Sequence, residues 1–314
     1  MDAQQEYANN NKALNVTIGG AGASRPASSC HGRPRPRPED YYNLYDLKHR
    51  EDIRRTHLKR FYDDFLPTYF PFDDELEPLE FWEEMMDPTY TESVFHVLLA
   101  FEKHDTELKE IVGGCVFEYW RESRCGLISY FVVSPACRGK GLGRFLIEQS
   151  VDIIHRDARA AGLHNGCPAI FAETNDPTKV KAEDDTVPPE VRVRMLQRIG
   201  FKRLEMEFVQ PPLEEGKNPC SNLWLAVYQP DNNGDDSDDA DGDSDDSIIT
   251  GPETLEDGSQ RLAAPLVLNW VKDYWQSNMA YYDPDYESHA DLQQMINDLS
   301  GREYVRVSEL APLN

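Results

Sequence analysis

The stretch Tyr130-Phe131-Val132-Val133-Ser134-Pro135-Ala136-Cys137-Arg138-Gly139-Lys140-Gly141-Leu142-Gly143-Arg144-Phe145-Leu146 decides how the rest of the chain is read. An apolar, β-rich run ends at Ser-Pro, a glycine-rich turn follows, and helical periodicity begins. Such a turn aims free backbone N–H groups and the positive end of a helix dipole at one point, where an anion binds. Glycines let a phosphate approach the backbone closely, while Arg138 and Lys140 add charge or pack outward. A Walker loop does not fit, because Lys140 is followed by Gly141 where Ser or Thr is required. A dinucleotide fingerprint does not fit either: Gly139, Gly141 and Gly143 alternate strictly, and no parallel βαβ unit precedes them. A plain strand-to-helix turn needs neither three alternating glycines nor two flanking cations.

Working outward, Ser93 to Phe101, Glu110 to Trp120 and Leu127 to Val133 read as three strands with connections short enough for an antiparallel meander. Gly113 and Gly114 in the middle strand suggest a bulge. After the glycine turn, Ile147, Val151, Ile154, Ala158 and Ala161 recur on one face of a helix that ends near Gly162. A buried strand, Ala169 to Glu173, completes a βαβ unit, so it runs parallel to the strand before the turn. Pro188-Pro189 opens another helix with Val191, Met195 and Ile199 inward, closed by Gly200, and strands follow near 201–209 and 223–228. Two helices, within 50–65 and 78–86, precede the sheet. The fold class is therefore α/β: a mixed, mostly antiparallel twisted sheet with helices on both faces.

The 314 residues carry a net charge of −25, of which 12 charges come from Asp and Glu between 231 and 257, leaving about −13 elsewhere. A surface of that sign repels phosphate backbones and favours cationic or neutral acceptors, so nucleic acid is not the expected partner. The acidic run is no calcium loop, since Gly242 at the sixth position puts Ser237 first and Ile248 twelfth. The chain divides into a tail poor in apolar residues (1–38), a main domain (39–230), an acidic linker (231–260) and a helical segment (261–314) expected to pack back on the domain. Six scattered cysteines show no zinc spacing, and the eight histidines include no ligand-spaced pair, so no metal is expected. No long apolar run or leader pattern is present, which makes a cytoplasmic protein without membrane contact the expectation.

The glycine turn resembles the hallmark of the GNAT superfamily of N-acetyltransferases, Arg/Gln-x-x-Gly-x-Gly/Ala after a strand ending in Val-x-Pro, here Val133-Ser134-Pro135 with Arg138, Gly141 and Gly143. Asn175 after the next strand and Ile199-Gly200-Phe201 agree with it, and the resemblance covers about residues 45 to 228. It implies an acyl-CoA N-acyltransferase fold, acetyl-CoA as co-substrate, and direct acetyl transfer to an amine in a ternary complex. It further implies that main-chain groups of Phe131, Val132 and Val133 pair with the pantetheine arm, and that Arg138, Gly139, Lys140, Gly141, Leu142, Gly143, Arg144 and Asn175 belong to the cofactor site. The chain departs from the family at Leu196, where many members carry a tyrosine that protonates the leaving thiolate.

An ammonium acceptor must lose a proton before its nitrogen attacks a thioester. Glu173, at the end of the strand beside the cofactor strand, is the first choice of base, and Glu118 on a neighbouring strand is the second. Tyr130 is a candidate acid, with core packing as its alternative role. The loop from Asn175 to Pro189, with Glu183, Asp184 and Asp185, is either a substrate lid or a solvated insertion. The acceptor is an amine on a small molecule or a protein. Two alternatives stay open: an acyl-CoA sensor without catalysis, and an enzyme that uses a longer acyl donor.

Overall fold

The structure is a computed structural model that describes residues 37–71, 75–181, 187–229 and 251–310. The N-terminal stretch 1–36, most of the acidic linker and the acidic residues 183–185 lie outside the described residues. In chain order the elements are β1 (Tyr42–Asp46), α1 (Glu51–Arg60), α2 (Leu79–Met85), β2 (Ser93–Glu102), β3 (Gly113–Trp120), β4 (Gly126–Val133), α3 (Leu142–Ala160), β5 (Ile170–Asn175), α4 (Pro189–Ile199), β6 (Phe201–Leu204), β7 (Leu223–Tyr228), β8 (Glu253–Thr254), β9 (Gln260–Ala263), α5 (Ala264–Met279), α6 (Ala290–Ser300) and β10 (Tyr304–Ser308).

The strands form one sheet in the order β1-β2-β3-β4-β5-β7-β6-β10-β9-β8, antiparallel throughout except where β4 and β5 run parallel. Alternation along each strand sends residues to opposite faces. Ile128, Phe131 and Val133 of β4 and Ile170 and Ala172 of β5 pack with α3 and α4 on one face. Tyr130 and Val132 pack with α1 and α2 on the other. Phe171, Leu225 and Val227 share that second face with α5 and α6. No helix among the described residues is long and apolar enough to cross a membrane.

Several local expectations change. Gly113 and Gly114 do not mark a bulge; they make room, since a Cβ on Gly114 would sit 2.6 Å from Phe61 Cε2 and one on Gly113 would sit 3.1 Å from Leu146 Cδ1. The bulge lies opposite, on β4: Val116 pairs with Tyr130 but Phe117 with Ile128, so Ser129 is the extra residue. The helix α4 is rotated from the expected face, with Val193 and Ile199 buried while Val191 and Met195 are exposed, and Ala161 is exposed beyond α3. A single amphipathic stripe of few turns leaves that rotation to tertiary packing. The strand expected over 201–209 stops at Leu204. Before β2, the sequence reading had no strand where β1 extends the sheet. Residues 253–254 and 260, read as linker, and 261–263 and 304–308, read as part of a helical segment, lie in strands.

The C-terminal segment is consequently part of the sheet and of the core. The α5 ring of Trp270 lies 4.5 Å from Phe171 of β5, and Tyr274 meets Trp120 of β3 edge-on at 5.8 Å. Burying such rings stabilises by roughly 2–3 kcal/mol each. On the opposite face, His96 of β2 is fully buried and stacked on Phe117, with Asp46 Oδ2 2.8 Å from Nδ1 and Asp157 Oδ2 3.0 Å from Nε2. Both ring nitrogens face carboxylates, so both donate and the ring is an imidazolium. Burial alone would lower its pKa, but the hydrogen bonds to Asp157 and Asp46 outweigh that and raise it. This trio ties β1, β2 and α3 together.

Candidate functional site

The glycine turn has the geometry that its composition requires. Ser134-Pro135 leads out of β4, Gly139 and Gly141 adopt φ of +73° and +87°, and α3 begins at Leu142 with Gly141 as its N-cap. The first amides of α3 have no partner within the helix and point toward the turn. Around Gly139 the space is open, with nothing within 4 Å of a notional Cβ, whereas Gly141 lies against Pro38 Cγ at 2.8 Å and Gly143 against Phe131 Cζ at 3.1 Å. A pyrophosphate fits a cradle of this kind: glycine surfaces, helix-end amides and two flanking cations.

The candidate residues sort by what their side chains do. Lys140 is exposed, and Leu142 is fully buried, so only its main chain faces the turn. Arg138 folds back, its Nε donating to Val133 O at 3.1 Å. Arg144 turns away, its guanidinium donating to Arg198 O on α4 and lying 3.7 Å from Glu148. Asn175 closes β5 opposite Leu223, its carbonyl accepting from Arg192.

The bulge at Ser129 explains the next feature. Parallel pairing of β4 with β5 covers Gly126↔Ile170, Leu127↔Phe171 and Ile128↔Ala172, and ends at the residue before the bulge. Beyond it, β4 from Tyr130 to Val133 and β5 from Glu173 to Asn175 are each paired only on their far sides. The added residue bends the strand and parts the two. Main-chain groups of Phe131, Val132 and Val133 therefore border an opening that leads to the glycine turn. Phe131 and Val133 keep partial exposure, and Val132 is buried on the α1/α2 face.

On the face opposite α3, the three catalytic candidates converge with three residues that the sequence reading did not single out. Glu173 Oε2 accepts from Gln210 Nε2 at 2.8 Å and from Tyr274 OH at 3.1 Å, and Gln210 also donates to Tyr274 OH at 3.3 Å. Glu173 as a residue is partly buried, but its Oε1 is cut off from solvent and has no partner. Tyr130 OH reaches Glu77 Oε2 at 2.5 Å and Glu75 O at 3.1 Å, and Trp82 Nε1 donates to the same Glu77 oxygen at 3.1 Å. Glu118 is 6 % exposed, beside Ser93 and Trp120.

Burial pushes the Glu173 and Glu118 carboxyls up to about 8, and the nearby Glu77 adds to both. Burial likewise raises Glu77, against the hydrogen bonds from Tyr130 and Trp82 that lower it. Tyr130 and Tyr274 are held well above the usual tyrosine range, by burial first and then by Glu77 and Glu173 respectively. A carboxyl near 8 accepts a proton from an ammonium far better than an exposed one near 4. Of the missed residues, Tyr274 sits in an aromatic helix that reads as core, Glu77 precedes a proline in an acidic stretch, and Gln210 lies in a loop. Only folding brings them to Glu173 and Tyr130. Leu196 packs on the α3 side of the sheet, where it supplies no acid.

A second cluster escaped linear spacing: single ligand atoms of Asp46, His49 and His96 lie within 4.8 Å of one another. Both His96 nitrogens are already engaged by carboxylates there.

These features define an acyltransferase type of α/β domain: a parted parallel strand pair, with a glycine turn at the mouth of a helix. Residues 58–181 match the acetyltransferase (GNAT) family, so this stretch is similar to a GNAT acetyltransferase domain. No curated protein matches the sequence. Among solved structures, a GNAT-family protein from Bacteroides thetaiotaomicron is 20% identical, with 60% of this chain and 87% of that one covered and a TM-score of 0.40. Tetrahymena GCN5 is 11% identical (60% and 97% covered, TM-score 0.36). The ribosomal-protein-S18-alanine N-acetyltransferase from Escherichia coli is 11% identical (61% and 97% covered, TM-score 0.33).

Proposed function

We propose that the protein transfers an acetyl group from acetyl-CoA to the nitrogen of an amine. The observation that carries this reading is the opening between β4 and β5, with the glycine turn at one end and the Glu173 carboxyl beside it. The pyrophosphate binds at residues 138–143, chiefly through main-chain amides, and the pantetheine arm lies along Phe131 to Val133. For this Arg138 must release the Val133 carbonyl that it now holds.

In the reaction, Glu173 takes a proton from the acceptor ammonium, and the freed nitrogen attacks the thioester carbonyl carbon. The carbon–sulfur bond then breaks, and the second nitrogen proton passes to the departing thiolate. Glu173 is suited to the first transfer because its raised pKa lies near that of the groups it serves. Glu118 is the second carboxyl of the site. Tyr130, the candidate acid, donates its hydroxyl to Glu77, and burial together with Glu77 raises its pKa. The cytoplasm is the natural setting, since it supplies acetyl-CoA and keeps thiols such as the buried Cys115, Cys125, Cys137 and Cys167 reduced.

The test is thiol release from acetyl-CoA across a panel of amines, with calorimetry of cofactor binding beside it. Turnover with any amine supports the reading. Binding without turnover would leave an acyl-CoA sensor, and faster release from a longer acyl donor would change the co-substrate.

A further inference from the structure

The Glu173 carboxyl is held at one oxygen only. Its Oε2 accepts from Gln210 Nε2 at 2.8 Å and from Tyr274 OH at 3.1 Å, and Gln210 also donates to Tyr274 OH at 3.3 Å. A glutamine amide carries two hydrogens and a tyrosine hydroxyl one. With one amide hydrogen on Glu173 and the other on the tyrosine oxygen, the hydroxyl hydrogen is turned toward Glu173 as well. Both donors thus meet Oε2, and Oε1, which has no partner, is the oxygen left to take a proton.

Gln210 is itself fixed by parts of the chain far from Glu173. Its main chain exchanges hydrogen bonds with Cys220 at 2.9 and 3.0 Å. The preceding residue, Val209, is gripped by both C-terminal helices: Trp275 Nε1 of α5 donates to its carbonyl at 3.2 Å, and its own N–H donates to Met295 Sδ of α6 at 3.4 Å. Two residues past Gln210, Tyr282 OH donates to Pro212 O at 2.9 Å. Anchors at 209, 210 and 212 leave the amide of Gln210 little freedom on a loop that has no helix or strand of its own. None of these residues lies within the stretch 58–181 that matches the family.

Building on the transferase reading above, we propose that Gln210 is a positioning residue for the proton transfer: clamped by α5 and α6, it directs its own amide and the Tyr274 hydroxyl onto Glu173 Oε2, so that the acceptor's N–H bond breaks as an O–H bond forms at Oε1. The helices beyond the family-matched stretch are then part of the catalytic unit and not an added layer. Among the influences on Glu173, burial first and then Glu77 raise its pKa, while the hydrogen bonds from Gln210 and then Tyr274 hold it down. Removing the Gln210 amide therefore has a sign: the Glu173 pKa rises further.

The experiment uses Gln210→Met, which keeps length and bulk but has no donor, and Gln210→Asn, which keeps the amide but draws it back by one methylene. Both leave the main-chain pairing with Cys220 in place. The pH dependence of kcat/KM is measured with acetyl-CoA and the amine of the panel above that gives the fastest thiol release. The acceptor's own titration is common to all variants, so a displaced limb reports the protein. Loss of a hydrogen bond to a charged group should move the ascending limb of Gln210→Met up by about one pH unit, which lowers kcat/KM about tenfold below the limb while acetyl-CoA affinity by calorimetry holds. Gln210→Asn should shift in the same direction. Without substrate, the infrared carboxyl band that disappears in Glu173→Gln should titrate higher in Gln210→Met by the same amount. A limb that stays at the parent's pH overturns the inference, whatever the band does, and leaves the transferase intact. A shifted band without turnover of any amine, in parent and variants alike, keeps the coupling of Gln210 to Glu173 and overturns the transferase.

Discussion

Replacing Glu173 by Gln should make the protein more stable and less active at once. In the folded chain this carboxyl is raised from 4.5 to about 8, so at neutral pH the native state holds a proton that the unfolded chain releases. Its contribution is fully present below about pH 4.5 and is lost as pH rises toward 8. At about 1.4 kcal/mol per pH unit, keeping it protonated costs about 3 kcal/mol at neutral pH, an upper figure because the residue is only partly buried. Gln keeps the oxygen that accepts from Gln210 and Tyr274 and carries no such penalty. Urea unfolding of both proteins from about pH 4 to 8 should give curves that coincide at the acid end and separate upward in favour of the variant. Turnover should fall about 100-fold or more while acetyl-CoA affinity holds, and higher pH should restore part of it as neutral acceptor accumulates. A variant that is less stable at every pH, with normal turnover per folded molecule, would refute the reasoning and leave Glu173 a structural residue.

Gly139→Asp places a carboxylate at the open αL position of the glycine turn; it should leave the melting temperature within a few degrees and weaken acetyl-CoA binding at least about tenfold by calorimetry. This is a cleaner probe than substituting Gly141, whose Cβ would meet Pro38. Tyr274→Phe removes a hydrogen bond that holds the Glu173 pKa down, so the ascending limb of the pH–rate profile should move to higher pH. Trp270→Ala should cost about 3–5 kcal/mol in denaturant unfolding, because its ring is fully buried between Phe171 and Tyr274. For His96 the sign is set by its raised pKa: its stabilisation is fully present below 6.5 and is lost as pH rises through the folded value. The stability gap between the parent and Asp157→Asn should therefore shrink toward alkaline pH, and a gap that widens would contradict the imidazolium assignment.

The sequence by itself determined what depends on short-range pattern. The strand-turn-helix from Tyr130 to Leu146 was legible because glycine freedom, helical spacing and helix-end amides are local properties, and β2 to β5 followed from alternation and connection length. Tertiary structure decided what depends on residues far apart in the chain. The β4–β5 opening arises from a register shift at Ser129, which no strand can reveal without its partner. The short strands β10, β9 and β8 exist because the edge of β6 offers hydrogen bonds to β10, which in turn pairs with β9 and β9 with β8, a stronger influence than their weak intrinsic preference. The carboxyl site followed the same rule: Glu118, Tyr130 and Glu173 could be nominated from their strands, but Glu77, Gln210 and Tyr274 join them from separate segments. It is their burial together that raises the two glutamates to about 8, and burial is a property of the folded chain alone.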